Sequence, residues 1–253
     1  MKLRKDNAAV KRNEGADTSE KSKNVISADS KFAIVEGYKI ARTNLVFTLT
    51  ACDNNAVAIT SWSKGEGKST ATVNIAISFA KMGKKVLLID ADLRRPNVHN
   101  LLKIGNESGV SEIIGHLSDF ESSVHRNVIA NLDVLTSGAI PPNPSELLAS
   151  SAFEQLIVDL KEEYDYVILD TPPLGVVADT LLLKEYVAGY VLVVREKITT
   201  HGDIERSLQN LRLADSKVLG FLKVGCSLHH RSGYKKYKYS NYHYSYNYTY
   251  YRY

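Results

Sequence analysis

The stretch "AVAITSWSKGEGKSTATVNIAISFAKMG", residues 56–83, decides the fold. It opens with five apolar or β-branched residues in a row, as a strand buried on both faces does. It closes with fifteen residues of helical character, from Ser69 to Gly83. Between them lie Gly65 and Gly67, then Lys68 and Ser69. In a strand–glycine loop–helix unit the glycines let backbone N–H groups approach phosphate oxygens, and the helix N-terminus adds its dipole. Gly65, Gly67, Lys68 and Ser69 match the end of a P-loop. Lys68 would reach the β- and γ-phosphates of a nucleotide and Ser69 would ligate Mg²⁺, with Lys64, Glu66 and Thr70 completing the binding set. Trp62 stands where the motif usually has its first glycine.

Outward from this unit the same alternation repeats. "KVLLIDA" (85–91), "LDVLT" (132–136), "YVILD" (166–170), "YVLVV" (190–194) and "VLGFLKV" (218–224) read as short buried strands. The stretches 69–83, 145–163 and 201–215 read as the helices between several of them, and apolar residues at helical spacing over 31–52 as a first, amphipathic helix. Such a chain is expected to form an α/β fold with a mostly parallel central sheet covered on both sides. Ligands bind such sheets at the carboxyl ends of the strands.

Two more motifs fall at those ends. In "VLLIDADLRRP", Asp90 and Asp92 lie two residues apart, so their side chains point the same way if strand geometry persists. Paired carboxylates beside a nucleotide's Mg²⁺ can hold its water shell and accept a proton from an incoming hydroxyl, although a lone aspartate at a strand end is often only a helix cap. In "YVILDTPP", Asp170 follows an apolar strand, as the Mg²⁺-positioning acid of P-loop enzymes does.

A chain of 253 residues suits one large α/β unit with tails. Residues 1–30 hold almost no large apolar side chain and are expected to be a mobile polar arm. The domain is expected over 31–230, followed by a flexible tyrosine cluster over 231–253. In "YKKYKYSNYHYSYNYTYYRY" (234–253) ten of twenty residues are tyrosine, out of fifteen in the whole chain. The net charge is +4, and residues 231–253 carry five Lys or Arg and no acid; removing those five leaves 27 basic against 28 acidic residues in the body. Cys52 and Cys226 have no metal-ligand spacing and no disulfide framework, which fits a reducing compartment. No run approaches the eighteen apolar residues of a membrane span.

The segments "SKGEGKST", "LLIDADLRRP", "VILDTPP", "SGVSEII" and "PPNPSELL" together with the tyrosine-rich end resemble the bacterial tyrosine kinases that govern capsule and exopolysaccharide synthesis. More specifically the chain is similar to their cytoplasmic Gram-positive type, and the resemblance runs from about residue 31 to the end. It implies a P-loop NTPase fold, ATP and Mg²⁺ as cofactors, nucleotide and metal at Lys68 and Ser69, Mg²⁺ organised by Asp90 and Asp170, and Asp92 as the group that activates a tyrosine hydroxyl. It implies phosphorylation of the terminal cluster, Tyr234, Tyr237, Tyr239, Tyr242, Tyr244, Tyr246, Tyr248, Tyr250, Tyr251 and Tyr253, between chains of a ring-like homo-oligomer. It also implies a membrane activator that recruits the cytoplasmic chain to the inner face of the membrane, and a cognate phosphatase. The family's subunit-contact motif falls on Glu36, Lys39 and Arg42, which share a helical arc of about 120°. Lys39 stands in place of an arginine and loses its planar fork. Read without the resemblance, that face is a solvated helix with an i,i+3 ion pair.

Two other readings compete. A partitioning-type (MinD- or ParA-like) ATPase would share the fold, but it usually carries lysine where Ser63 stands, and it gives no reason for the tyrosines. A non-catalytic nucleic-acid binder could use the basic aromatic tail, but would not need Asp90, Asp92 and Asp170. No nucleic-acid partner is expected.

Overall fold

A computed structural model describes residues 24–226. Most of the arm read over 1–30 and the tyrosine cluster at 234–253 lie outside the described residues. The elements run α1 (Phe32–Cys52), β1 (Ala56–Ser61), α2 (Lys68–Ala80), β2 (Val86–Asp90), α3 (Val98–Leu102), α4 (Val110–Ile114), α5 (Phe120–Ser123), β3 (Val124–Ile129), β4 (Leu132–Leu135), α6 (Pro144–Leu148), α7 (Ser151–Glu163), β5 (Tyr166–Asp170), a 3₁₀ turn (Asp179–Leu183), β6 (Tyr190–Arg195), α8 (His201–Leu213) and β7 (Val218–Val224). The seven strands form one sheet in the order β3-β4-β2-β5-β1-β6-β7. Every neighbouring pair is parallel except β3 with β4.

Strand alternation divides the core in two. Ala56, Ala58, Leu87, Ile89, Val167, Leu169 and Leu192 face a layer built on Phe153, Ile157 and Leu160 of α7 with Leu211 of α8. Val57, Ile59, Val86, Leu88, Ile168, Val191 and Val193 face α2, Leu45 and Leu49 of α1, and Leu101 of α3. Both faces of the central strands are covered, which is why these strands read as unbroken apolar runs. Helix α2 is itself wrapped: every side chain from Ala71 to Ala80 is buried.

Two expectations need correction. The stretch read as one helix over 145–163 is two, because Ser150 leaves helical geometry at ψ 152° and its hydroxyl accepts from Phe153 N, starting α7 afresh. The arm read as mobile through residue 30 ends in a segment packed on the body. Buried Asn74 of α2 accepts from Ile26 N (2.8 Å) and donates to Asn24 O (3.0 Å), and Ile26 itself is buried. A buried amide must find partners; here they come from the chain just before α1.

Candidate active site

Strand β1 delivers the glycine loop to the middle of the sheet, and the next two strands deliver the acids. Asp90 at the end of β2 is the lateral neighbour of Asp170 at the end of β5, and Asp170 in turn is paired with Ile59 of β1. The carboxylates therefore meet because three parallel strands end in register. Gly65 and Gly67 take left-handed φ values of +80° and +89°, where a side chain would be strained. Gly67 caps α2, and Ala71 N donates to its carbonyl at 2.9 Å.

Lys68 lies buried with its Nζ 2.8 Å from Asp170 Oδ1, 3.6 Å from Asp92 Oδ2 and 3.2 Å from Ser69 Oγ. Thr72 Oγ1 is 2.9 Å from the same Asp170 oxygen. Burial alone would lower the lysine's pKa, but Asp170 and then Asp92 outweigh it and hold the ammonium above its ordinary value. Asp92 is shifted upward by burial, against the pull of Lys68. Asp90 is pushed up to about 7 by burial and then by repulsion from Asp170.

The three acids do different work. Asp90 Oδ1 accepts from Asp92 N, and its Oδ2 accepts from Asn97 N and Val98 N at 3.0 Å each. Asp90 thus ties the 91–98 turn and the start of α3, the capping role that strand-end aspartates often have. Asp92 accepts from Arg95 N at 3.1 Å and keeps its other oxygen toward Lys68. Asp170 Oδ2 is buried without a hydrogen-bond partner among the described residues. Such an oxygen calls for a ligand, and it fits a hard cation. Among the described residues no group of three or more His, Cys, Asp or Glu forms a metal cage. A hard cation such as Mg²⁺ takes one or two carboxylates together with phosphate oxygens and water.

Glu66, expected among the nucleotide-binding residues, turns its side chain inward: Oε2 accepts from Ser63 N at 2.9 Å and Oε1 from Thr199 Oγ1. Lys64 and Gly65 are exposed at the rim. Trp62, in the place of the usual glycine, lies against Gly175, where an added Cβ would meet the indole at 2.7 Å, and under the Arg206 guanidinium.

Sequence reading missed the braces around this centre. Arg94, two residues after Asp92, makes a two-pronged ion pair with buried Asp179 (2.6 and 3.1 Å), and Ser145 Oγ donates to the same carboxylate at 2.9 Å. Glu112 of "SGVSEII" accepts from Gly109 N and from Ala139 N, tying α4 to the loop after β4. An Arg two residues beyond an acid pair was a usable signal; its partner, 85 residues away, was not. On α1, Glu36 and Lys39 pair at 2.7 Å in solvent, whereas Arg42 donates to Ser78 O at the end of α2 (2.9 Å), so the three do not stand together as a free face. The ten terminal tyrosines lie outside the described residues.

A mostly parallel sheet with a glycine loop on a central strand and acids on the next two defines a P-loop nucleotide-binding protein. Comparison with known proteins narrows this. The AAA domain family matches residues 54–217. The tyrosine-protein kinase YwqD of Bacillus subtilis is 40% identical over 230 residues, which are 90% of this chain and 96% of that protein. The tyrosine-protein kinase etk of Escherichia coli is 35% identical over 191 residues, 76% of this chain but only 26% of its own length. Its solved kinase domain superposes with a TM-score of 0.72 at 34% identity, over 79% of this chain and 80% of that one. The chain belongs to the bacterial tyrosine-protein kinase family and is a tyrosine kinase. The septum site-determining protein MinD of Pyrococcus horikoshii, in its complex with Mg-ADP, aligns at 24% identity and a TM-score of 0.56 over 66% of this chain and 69% of that one, which shows a shared fold alone. The partitioning-ATPase reading is thereby reduced to a distant fold relationship. Among the described residues no helix is long and apolar enough to cross a membrane.

Proposed function

We propose that the chain uses ATP and Mg²⁺ to phosphorylate the tyrosine cluster at 234–253 of a neighbouring copy, in the control of capsular or exopolysaccharide synthesis and export. The observation that carries this reading is the position of Lys68, 2.8 Å from Asp170 and 3.6 Å from Asp92 at the mouth of the glycine loop. A buried cation beside two acids and a phosphate cradle can compensate charge on a transferring phosphoryl group while an acid takes the proton of the incoming hydroxyl. In this reading the phenol oxygen bonds to the γ-phosphorus, the bond to the β-bridging oxygen breaks, and the phenol proton passes to Asp92. The raised pKa of Asp92 suits a proton acceptor better than an ordinary carboxylate would. Asp170 and Ser69 would hold Mg²⁺, which when bound neutralises phosphate charge. Asp90 shapes the turn that carries Asp92.

A membrane partner is part of the proposal. This chain spans 26% of the length of etk, so a separate protein could supply what the rest of that relative contributes. The chain would work in the cytoplasm at the inner face of the membrane, recruited by such a partner and reset by a cognate phosphatase. The test is incubation of the purified chain with ATP and Mg²⁺, with and without the cytoplasmic segment of a candidate activator, reading phosphotyrosine by mass spectrometry. Lys68→Met and Asp170→Asn are expected to abolish the signal. Undiminished phosphotyrosine in either folded variant would overturn the assigned site.

A further inference from the structure

We propose that Arg195 is a positioning residue of the nucleotide site: it fixes the P-loop through the Gly65 carbonyl and is itself held by the ends of β6 and β7. The inference deepens the nucleotide-site reading and rests on it.

Arg195 ends β6, and its Nη1 donates to Gly65 O at 2.9 Å, across 130 positions of sequence. Its side chain runs beside two glycines, most tightly where its stem passes Gly225. A Cβ added to Gly67 would lie 3.9 Å from Nη1, and one added to Gly225 would lie 3.3 Å from the Arg195 Cγ and 3.6 Å from its Nε. Both glycines have left-handed φ, +89° and +72°. The backbone of Arg195 is secured as well, because its N–H donates to Thr199 Oγ1 at 2.8 Å and that hydroxyl donates to Glu66 Oε1. Glu66 closes the circuit by accepting from Ser63 N. Strand β7 joins through Glu196 N, which donates to Val224 O at 2.9 Å, and through Val224 Cγ2, 3.7 Å from a Cβ on Gly67.

The physical consequence concerns one peptide plane. Two left-handed glycines flank Glu66 and give the loop more conformations than any other residues would. If the Gly65–Glu66 plane turned over, its carbonyl would replace its N–H on the other side of the loop. A phosphate cradle needs N–H groups pointing inward, and a carbonyl there repels the anion. Arg195 holds the carbonyl on its own side, so trans-peptide geometry sends the Glu66 N–H the opposite way. The side-chain bonds of Glu66 fix the other half of the plane. Holding a loop in its binding shape before the ligand arrives raises affinity by removing an ordering cost.

The test is calorimetric titration of the full chain with ADP and Mg²⁺, together with thermal melting of the nucleotide-free chain. Arg195→Ala is expected to raise the ADP dissociation constant about tenfold, the loss of one hydrogen bond to a charged donor, while moving the nucleotide-free midpoint by only a few degrees. Arg195→Lys, which keeps a cationic donor, is expected to recover most of the affinity. A dissociation constant in the Ala variant within twofold of the parent overturns the proposal, as does a Lys variant as weak as the Ala variant. A melting loss with affinity unchanged would make Arg195 a structural strut and equally overturn it. If Arg195→Ala does not fold, Thr199→Val is the deciding variant: weaker ADP binding is expected, and parental binding overturns the proposal. A parent chain that binds no ADP removes the nucleotide-site reading itself, whereas a binding parent with an indifferent Arg195 removes only this inference.

Discussion

Asp90, Asp92 and Asp170 are one residue type placed in three situations, and the differences come from their neighbours. Asp170 shares Lys68 with Asp92, and Asp90 is left with backbone donors only. Backbone N–H groups favour the ionised form, but burial and the adjacent Asp170 disfavour it more, which leaves Asp90 titrating near 7. The sign of the linked stability effect follows. Between its ordinary value of 3.8 and about 7 the folded chain holds a proton on Asp90 that the unfolded chain has released. Asp90 therefore contributes less to stability as pH rises through that window, at up to about 1.4 kcal/mol per pH unit, and no further change comes above it. Asp90→Ser, which keeps one short acceptor but no charge, should be less stable than the parent at pH 5, with a deficit that shrinks toward pH 8. Denaturant titrations of the nucleotide-free chain at the two pH values check this, and a deficit independent of pH would show that Asp90 does not titrate in that window. At this scale the residues that the fold brings together were legible, because Lys68 and the three acids each stand at or beyond the end of a recognisable strand. The division of labour was not, since it depends on which backbone groups the 91–98 turn presents. Arg195 was invisible because it is one of many surface arginines until β6 and β1 lie side by side.

Strands were legible where apolar or β-branched residues dominate. Strands β1, β2, β4, β5, β6 and β7 lie within a residue of the read boundaries because each is an apolar or β-branched run. Strand β3 was missed: His125, Arg126 and Asn127 break its apolar run, as an edge strand partly open to water permits. The short helices α3 to α5 were missed because five residues or fewer carry no period to detect, and α6 was read as one helix with α7. These poorly legible pieces are nevertheless what braces the site. The loop bearing Asp92 is joined by Arg94 to Asp179 in the 3₁₀ turn and to Ser145 in α6. Arg94 is partly exposed and Asp179 is buried, so removing the carboxylate leaves the arginine free to rehydrate. Asp179→Ala should cost about 2 kcal/mol, a drop of roughly 5 °C in melting midpoint for a domain of this size. The kinetic expectation is more specific: with Asp92 less well placed, kcat should fall about tenfold while KM for ATP stays near the parental value. A variant that loses stability with kcat intact would confine this brace to folding.

For the whole molecule, two features bear on contacts between chains. The first is α1, whose outward residues include the Glu36–Lys39 ion pair and strongly exposed Phe32, Ile40 and Phe47. An exposed i,i+3 pair contributes little to the monomer, so Glu36→Ala with Lys39→Ala should leave the melting midpoint within a degree or two. If this helix contacts a neighbouring copy, the same double variant should reduce the mass seen by light scattering where the parent assembles. Equal masses would mean that the face is merely solvated.

The second feature is the tyrosine-rich end. Before modification, residues 231–253 carry five positive charges and no acid, whereas the site offers Asp92 and Asp170, joined by Asp90 once pH passes about 7, against one lysine. Attraction between a basic tail and an acidic cleft brings a phenol toward Asp92 and weakens with added salt. Each phosphotyrosine brings about −1.5 to −2 charges, so about three neutralise the tail and further ones reverse it. Phosphorylation would then end the attraction that made it possible, and a tail lodged in a neighbour would be released. The deciding experiment mixes a Lys68→Met chain, unable to transfer phosphate, with an active chain lacking residues 234–253. Only the inactive chain has a tail to modify. With ATP and Mg²⁺ its tyrosines should become phosphorylated, provided that the two forms co-assemble in sizing runs, and raised salt should slow the labelling. An unlabelled inactive chain within a demonstrated mixed assembly would restrict transfer to a chain's own tail. Assembly size compared before and after phosphatase treatment then tests the release, since a charge reversal that loosens the contact must make the phosphorylated form the smaller one.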